Sequence, residues 1–235
     1  MADYVGTLGD DLTVYEQGTP PVTQFDDVQI GKLGDDHLRG AGGNDLLFGD
    51  TGNDFLEGGK GIDLVIGADG NDNLHGNDGQ DTLYGGKGND VLFGGAGDDT
   101  LIGNQGIDTL TGGAGADRFI IRGRESSDIG GAVHDGIEIV QKQTITDLHF
   151  DQGDKLQLDG FVLNGQDLTQ SLHLGNGIGS QASLDNVVAT LDKAYADGVI
   201  AYDPTVQEGN NLHLFLQDKA GELHEVVLNH YGTPA

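Results

Sequence analysis

The sequence predicts a mainly β chain, wound as a coil in which two parallel sheets face each other across a thin apolar core. Three observations carry this reading. Glycine supplies 42 of 235 residues, roughly three times its usual share. Acidic residues outnumber basic ones 39 to 11, a net charge of −28. From Gly31 to Ile120 both residue types fall on a period of nine. Composition alone would also suit a disordered chain, but disorder does not keep several columns in register over 90 residues.

The same numbers exclude other classes. There is no cysteine, so no disulfide scaffold. So acidic a surface repels nucleic-acid phosphates. No apolar run approaches the ~20 residues of a transmembrane helix. The start, Met1-Ala2-Asp3-Tyr4, lacks the basic-then-apolar pattern of a cleavable signal peptide.

Ten blocks of nine begin at Gly31, Gly40, Gly49, Gly58, Gly67, Gly76, Gly85, Gly94, Gly103 and Gly112. Position four is also glycine in all ten, from Gly34 to Gly115. Position six is aspartate throughout: Asp36, Asp45, Asp54, Asp63, Asp72, Asp81, Asp90, Asp99, Asp108 and Asp117. Position eight is apolar throughout: Leu38, Leu47, Leu56, Val65, Leu74, Leu83, Leu92, Leu101, Leu110 and Phe119. Glycine permits the positive φ and close backbone approach of tight turns. Three residues around position eight suit a short strand with that side chain inward. Two turns and two strands make an 18-residue coil, and stacking the coils gives the two parallel sheets.

Stacking sets aspartates 18 residues apart roughly 5 Å from each other along one edge. Two carboxylates at that distance repel by roughly 0.8 kcal/mol in water and more when partly buried. One apolar side chain per nine residues is a thin core to set against this and against chain entropy. A hard dication between each pair resolves the conflict. Aspartate oxygens and turn carbonyls make an all-oxygen shell that suits calcium, and the columns hold no nitrogen or sulfur ligand for zinc or copper. Ten blocks offer eight such pairs, four on each edge. Eight calcium ions would bring +16 against −28, leaving about −12. Without calcium the chain is expected to be unfolded.

Block seven, Gly85-Gly86-Lys87-Gly88-Asn89-Asp90-Val91-Leu92-Phe93, resembles the RTX, or haemolysin-type, nonapeptide at every fixed position: Gly-Gly-x-Gly-x-Asp-x-apolar-x. Position two departs most, being glycine only at Gly59, Gly86, Gly95 and Gly113. The resemblance covers 90 of 235 residues and implies a parallel β-roll. It also implies backbone ligands: carbonyls at position one (Gly31, Gly40, Gly49, Gly58, Gly67, Gly76, Gly85, Gly94) and position three (Leu33, Gly42, Thr51, Lys60, Asp69, Asp78, Lys87, Ala96). On this basis Gly49, Thr51 and Asp54 would share an ion with the turn ending at Asp72.

The flanks are read as caps. Residues 1–30 hold one degenerate unit, Gly6 to Val14, and a loop with Pro20 and Pro21. Residues 121–235 read as an α+β extension of the roll. Thr144 to Leu158 alternates like two strands joined by a turn. Ser183 is positioned to cap a helix over 184–197, with Leu184, Val187, Val188, Leu191 and Tyr195 on one face and Gly198 as its stop. Segments 212–217 and 222–229 form a hairpin around Asp218–Gly221.

No catalytic constellation stands out, and the chain is expected not to be an enzyme. His224 and His230 do not have the spacing of a zinc protease, and an ordinary surface strand is expected there. Carboxylate pairs such as Asp35–Asp36 and Asp98–Asp99 belong to the repeat columns rather than to acid–base catalysis. Arg118, Arg122 and Arg124 are the only basic cluster, either a counter-charge to Asp117, Glu125 and Asp128 or a contact for an acidic glycan. The outward positions of even blocks are mostly apolar, those of odd blocks mostly polar, with Phe55, Val91 and Phe93 as exceptions. Coverage of the apolar sheet by the chain's own flanks is expected to bury Leu46, Leu64 and Ile66, the alternative being a docking surface for a partner.

The function this implies is a secreted, calcium-binding RTX β-roll, extracellular or at a bacterial cell surface. It would fold on calcium outside the cell and support type I export and stability of the protein it belongs to, so its partners are calcium, the type I secretion machinery and a covalently linked upstream domain. The ending Tyr231 to Ala235 lacks the acidic-then-apolar terminus of some exported relatives. The alternative is a polysaccharide-binding module, as in secreted alginate epimerases, or a docking module of an adhesin.

Overall fold

A computed structural model describes residues 3–5, 26–122, 133–134, 137–163, 166–168, 177–201, 203–218 and 221–229. Its strands are β1 (Asp3–Val5), β2 (Val28–Leu33), β3 (His37–Gly42), β4 (Leu46–Thr51), β5 (Phe55–Gly61), β6 (Leu64–Asp69) and β7 (Asn73–Gly79). The array continues with β8 (Thr82–Lys87), β9 (Val91–Ala96), β10 (Thr100–Gln105), β11 (Ile107–Ala114) and β12 (Arg118–Arg122). Beyond it lie β13 (Val133–His134), β14 (Ile137–Ile145), β15 (Lys155–Asp159), β16 (Val162–Leu163), β17 (Gln166–Asp167), helix α1 (Gln181–Ala196), β18 (Thr205–Glu208), β19 (Asn211–Gln217) and β20 (Leu223–Leu228).

Strands of the array join alternate sheets. One sheet runs β1-β2-β4-β6-β8-β10-β12-β15, the other β18-β19-β20-β14-β11-β9-β7-β5-β3. Within the array every pairing is parallel with a register of 18, such as Leu47↔Val65 and Leu56↔Leu74. This is the parallel β-roll. Its strands are longer than the three residues expected, because positions one to three of the next block keep pairing with the coils on either side.

All ten position-eight side chains are 0 % exposed and form one continuous core. Strict alternation explains this, since positions seven and nine point away from the facing sheet. The coils approach so closely that position four admits only glycine. A Cβ on Gly70, at φ +154°, would lie 1.5 Å from the carbonyl oxygen of Gly52 in the coil below.

The roll does not end where the period ends. β14 pairs with β11 and places Ile145 beside Leu110, while β15 pairs with β12 and places Leu156 beside Phe119. Both new side chains are fully buried in the same core. The two strands read from Thr144–Leu158 are present as the end of β14 and most of β15, but the first stops at Ile145 and the two lie in opposite sheets, each stacked on an array strand. β20 adds to β14 in parallel, and only then does an antiparallel hairpin, β19 with β20, close the sheet, as expected from its sequence.

Helix α1 begins earlier than expected, at Gln181. Ser180, not Ser183, is the N-cap, and its Oγ accepts the Ser183 N–H at 3.2 Å. Gly198 follows at φ +70°, the left-handed stop the sequence implied. Leu184, Val187 and Leu191 pack into the core, and Ala194 takes the buried place expected of Tyr195, which is exposed.

Among the described residues, no C-terminal strand covers the apolar outer sheet as expected. Leu46 is 36 % exposed, and Leu64 and Ile66 are half-buried by neighbours in their own sheet. The C-terminal strands stack on the end of the roll instead of folding back across its face. The degenerate unit Gly6–Val14, Arg124, Glu125, Asp128, His230 and residues 231–235 lie outside the described residues.

Candidate metal centre

Each turn sets its position-six aspartate against the next coil in the same way. The backbone N–H of Asp54 donates to Asp72 Oδ1, and that of Asp72 donates to Asp90 Oδ1, at 2.8 and 2.9 Å. The bond repeats along both edges from Asp36 to Asp108 and from Asp45 to Asp117. All ten carboxylates are buried.

The second oxygen is different. Oδ2 of Asp45, Asp54, Asp63, Asp72, Asp81, Asp90, Asp99 and Asp117 makes no hydrogen bond. A buried carboxylate oxygen without a donor is costly. Position one shows where these oxygens point. A Cβ on Gly49 would lie 2.1 Å from Asp54 Oδ2 and 2.8 Å from the carbonyl oxygen of Gly67. Gly40, Gly67, Gly76, Gly85 and Gly94 repeat the arrangement with their own aspartates and the position-one carbonyl 18 residues on. Glycine is thus needed at position one to leave a cradle lined by a carboxylate oxygen and a carbonyl oxygen from two coils.

The implied backbone ligands lie on these edges. Position-one carbonyls face the lower-numbered coil: Gly49 O stands beside the Gly31 cradle, where Asp36 Oδ2 points. Position-three carbonyls face the same way, those of Thr51, Lys60, Asp69 and Lys87 each accepting a position-four N–H from the coil below at 2.8–2.9 Å. The Gly49 and Thr51 carbonyls thus face the coil that carries Asp36. The side chains of Leu33, Thr51, Lys60, Asp69, Asp78, Lys87 and Ala96 are exposed, so position three can offer the edge only its backbone.

Burial pushes these carboxyls upward. Asp90 rises to about 8, Asp54 and Asp99 to about 7, and Asp45, Asp63, Asp72, Asp81, Asp108 and Asp117 to about 6. Desolvation is the main cause in every case. The edges thus hold stacked carboxyls that are fully ionised at neutral pH only with a counter-charge beside them. Oxygen-only donors, with orphaned carboxylate oxygens and carbonyl oxygens converging beside the position-one glycines, fit calcium.

The family model for the RTX calcium-binding nonapeptide repeat (4 copies) matches residues 30–65, 66–101 and 93–120. Residues 30–120 are an array of RTX calcium-binding repeats. No curated protein matches the chain.

Around the RTX array the structure adds residues that the sequence reading missed. Asp27 donates its N–H to Asp45 Oδ1 at 2.7 Å, and Asp117 donates to Asp154 Oδ1 at 2.9 Å. Both belong to the edge of the even blocks. Asp27 lies nine residues before Asp36, but Val22 and Phe25 replace the glycines of its block and Gln29 replaces its apolar residue. Gln29 is nonetheless buried, its amide bonded to both the N–H and the carbonyl of Arg39. Asp154 is hidden by its offset of 37 from Asp117, where the array's register is 18. Only the local Asp154-Lys155-Leu156 order betrays its place.

The other edge ends without a carboxylate. Gln143 pairs with Asp108, and its Nε2 donates to Asp108 Oδ2 and to the Asn104 carbonyl. Its amide lies in the Gly103 cradle, where a Cβ would be 2.2 Å from Gln143 Oε1. A neutral side chain fills that place in the RTX edge. Position five carries a further ladder: Asn53, Asn71 and Asn89 donate their N–H groups to Asp35, Asn53 and Asn71 Oδ1.

Proposed function

We propose that this chain is a secreted RTX β-roll that folds by capturing calcium outside the cell and so supports the type I export and stability of the protein to which it belongs. The observation that carries this reading is the set of buried, unbonded aspartate Oδ2 atoms at the position-one cradles. Calcium supplies the missing positive charge when bound. Asp36, Asp54, Asp72, Asp90 and Asp108 would hold it on one edge and Asp45, Asp63, Asp81, Asp99 and Asp117 on the other, with position-one and position-three carbonyls completing the shell. This gives eight places inside the array. Asp27–Asp45 and Asp117–Asp154 extend one edge by a place at each end. Gln143 closes the other.

The role is structural rather than catalytic: each ion ties two coils together, so binding and folding are one event. Extracellular modules bind calcium at about 10⁻⁴–10⁻³ M. At cytosolic calcium the chain would therefore stay unfolded and exportable. The polysaccharide reading has less support, because Arg118 is engaged by Gln157, its Nε donating to Gln157 Oε1 at 3.0 Å.

Circular dichroism with and without a chelator tests the proposal. Millimolar calcium is expected to produce β signal cooperatively, and magnesium at the same concentration is not. Native-like sheet content in chelator at pH 8 would overturn the reading.

A further inference from the structure

One group of three metal-ligating side chains among the described residues lies away from the repeat edges. Asp218, Glu222 and His224 meet at the turn joining β19 to β20, with one ligand atom of each within 4.8 Å of the others. Asp218 and His224 are each 1 % exposed, and Glu222 is half-buried. The expected surface strand is present as β20, but it carries His224 into the interior.

The imidazole is held as a metal ligand is held. His224 Nδ1 stands 3.0 Å from Gln141 Oε1 on β14. An amide oxygen only accepts, so Nδ1 carries the proton and Nε2 keeps its lone pair. Nε2 is buried and makes no hydrogen bond. It faces Asp218 Oδ2 at 3.5 Å, longer than the ~2.7–3.2 Å of an N–H···O bond. Two ligands at ~2.0–2.1 Å from a tetrahedral ion stand about 3.4 Å apart. Asp218 Oδ1 accepts the Glu222 N–H at 2.9 Å, which turns Oδ2 toward the ring. Phe161 packs edge-on to the imidazole, with centroids 5.3 Å apart.

We propose that Asp218, Glu222 and His224 form a second metal site that takes a zinc-class divalent ion. Two carboxylates and an imidazole suit such an ion, whereas calcium prefers oxygen alone. With Gln141 behind the imidazole, the ion would fasten the closing hairpin to β14 and hence to the end of the roll.

The test uses the full chain at saturating calcium, so that the repeat edges are filled. Cobalt(II) serves as a visible probe. One equivalent is expected to give the intense d–d bands of a tetrahedral site, bleached by zinc and not by more calcium. His224→Gln is expected to abolish the bands. Glu222→Gln changes a half-buried residue, is expected to keep the calcium-dependent circular dichroism, and should weaken zinc binding at least tenfold. No saturable cobalt spectrum, or zinc binding by Glu222→Gln as tight as by the parent, would overturn the proposal. If His224→Gln does not fold, the Glu222→Gln comparison decides.

Discussion

Position two carries a local backbone cost in four of the five coils. Lys32, Ala41, Asp50, Ala68, Asn77 and Asn104 all take φ between 69° and 87°, and the four glycines of that column, Gly59, Gly86, Gly95 and Gly113, take larger positive angles of 103–126°. A left-handed non-glycine residue costs about 1–2 kcal/mol, least for Asn and Asp. The roll thus keeps one backbone shape although six of ten residues depart from the family pattern, so sequence variation there tunes stability rather than topology. The aspartates differ by place rather than by shape. Asp45 lies in the second block but has Asp27 beneath it and Asp63 above, whereas the described edge of Asp36 begins with it. Asp45→Asn is therefore expected to raise the calcium midpoint about as much as the central Asp72→Asn, and Asp36→Asn clearly less. Calcium titrations followed by circular dichroism would check this, and equal effects at all three positions would point to independent sites.

The edge ladder is the element on which pH acts. In the calcium-free coil the buried carboxyls stand at about 6–8, above their ordinary 3.8. A folded stack therefore holds more protons than the unfolded chain. Its calcium-free stability is present below about 4 and is lost as pH rises through 6–8. In chelator, β circular dichroism is expected to grow as pH falls from 8 to about 4. With calcium present, the midpoint is expected to rise as pH falls below about 6, because protons and the ion compete for the same oxygens. A chelator signal that stays flat over that range would argue against carboxylate repulsion as the barrier to folding. These ladders were legible in the sequence because the period fixes register, and a register of 18 fixes which side chains meet. Asp27, Gln143 and Asp154 were not, because missing glycines or an insertion remove the periodic cue while the backbone keeps its path. The helix cap moved from Ser183 to Ser180 for a smaller reason: both serines lie ahead of the same apolar face, and tertiary packing chose between them.

At the scale of the molecule, the C-terminal segment continues the roll rather than sheathing it. Ile145 and Leu156 extend the core, and β20, β19 and β18 finish one sheet. Removing residues 133–235 would bare Leu110 and Phe119 and take away the acceptor of the Asp117 N–H. Burying one such side chain contributes about 1.5–3 kcal/mol. The truncated chain is expected to need several-fold more calcium, to fold less cooperatively and to self-associate on size exclusion. Leu64→Glu, on the half-buried outer face, is expected to leave the midpoint within about twofold. A Leu64→Glu effect as large as the truncation would show that the apolar sheet is covered after all. The sequence suggested such a cover because the stripe is apolar, but hydropathy records how dry a face prefers to be and not which neighbour reaches it.

The aspartate bonds all run one way: each N–H reaches for a carboxylate 18 residues further on within the array, and the last of them finds Asp154. This ladder, unlike the position-five ladder that runs the other way, consequently has a growing end. A chain whose C-terminal part is already in place offers a finished docking bed, and every new coil laid on it meets its acceptor at once. A chain laid down from the other end leaves each new coil with donors waiting for a layer that has yet to arrive.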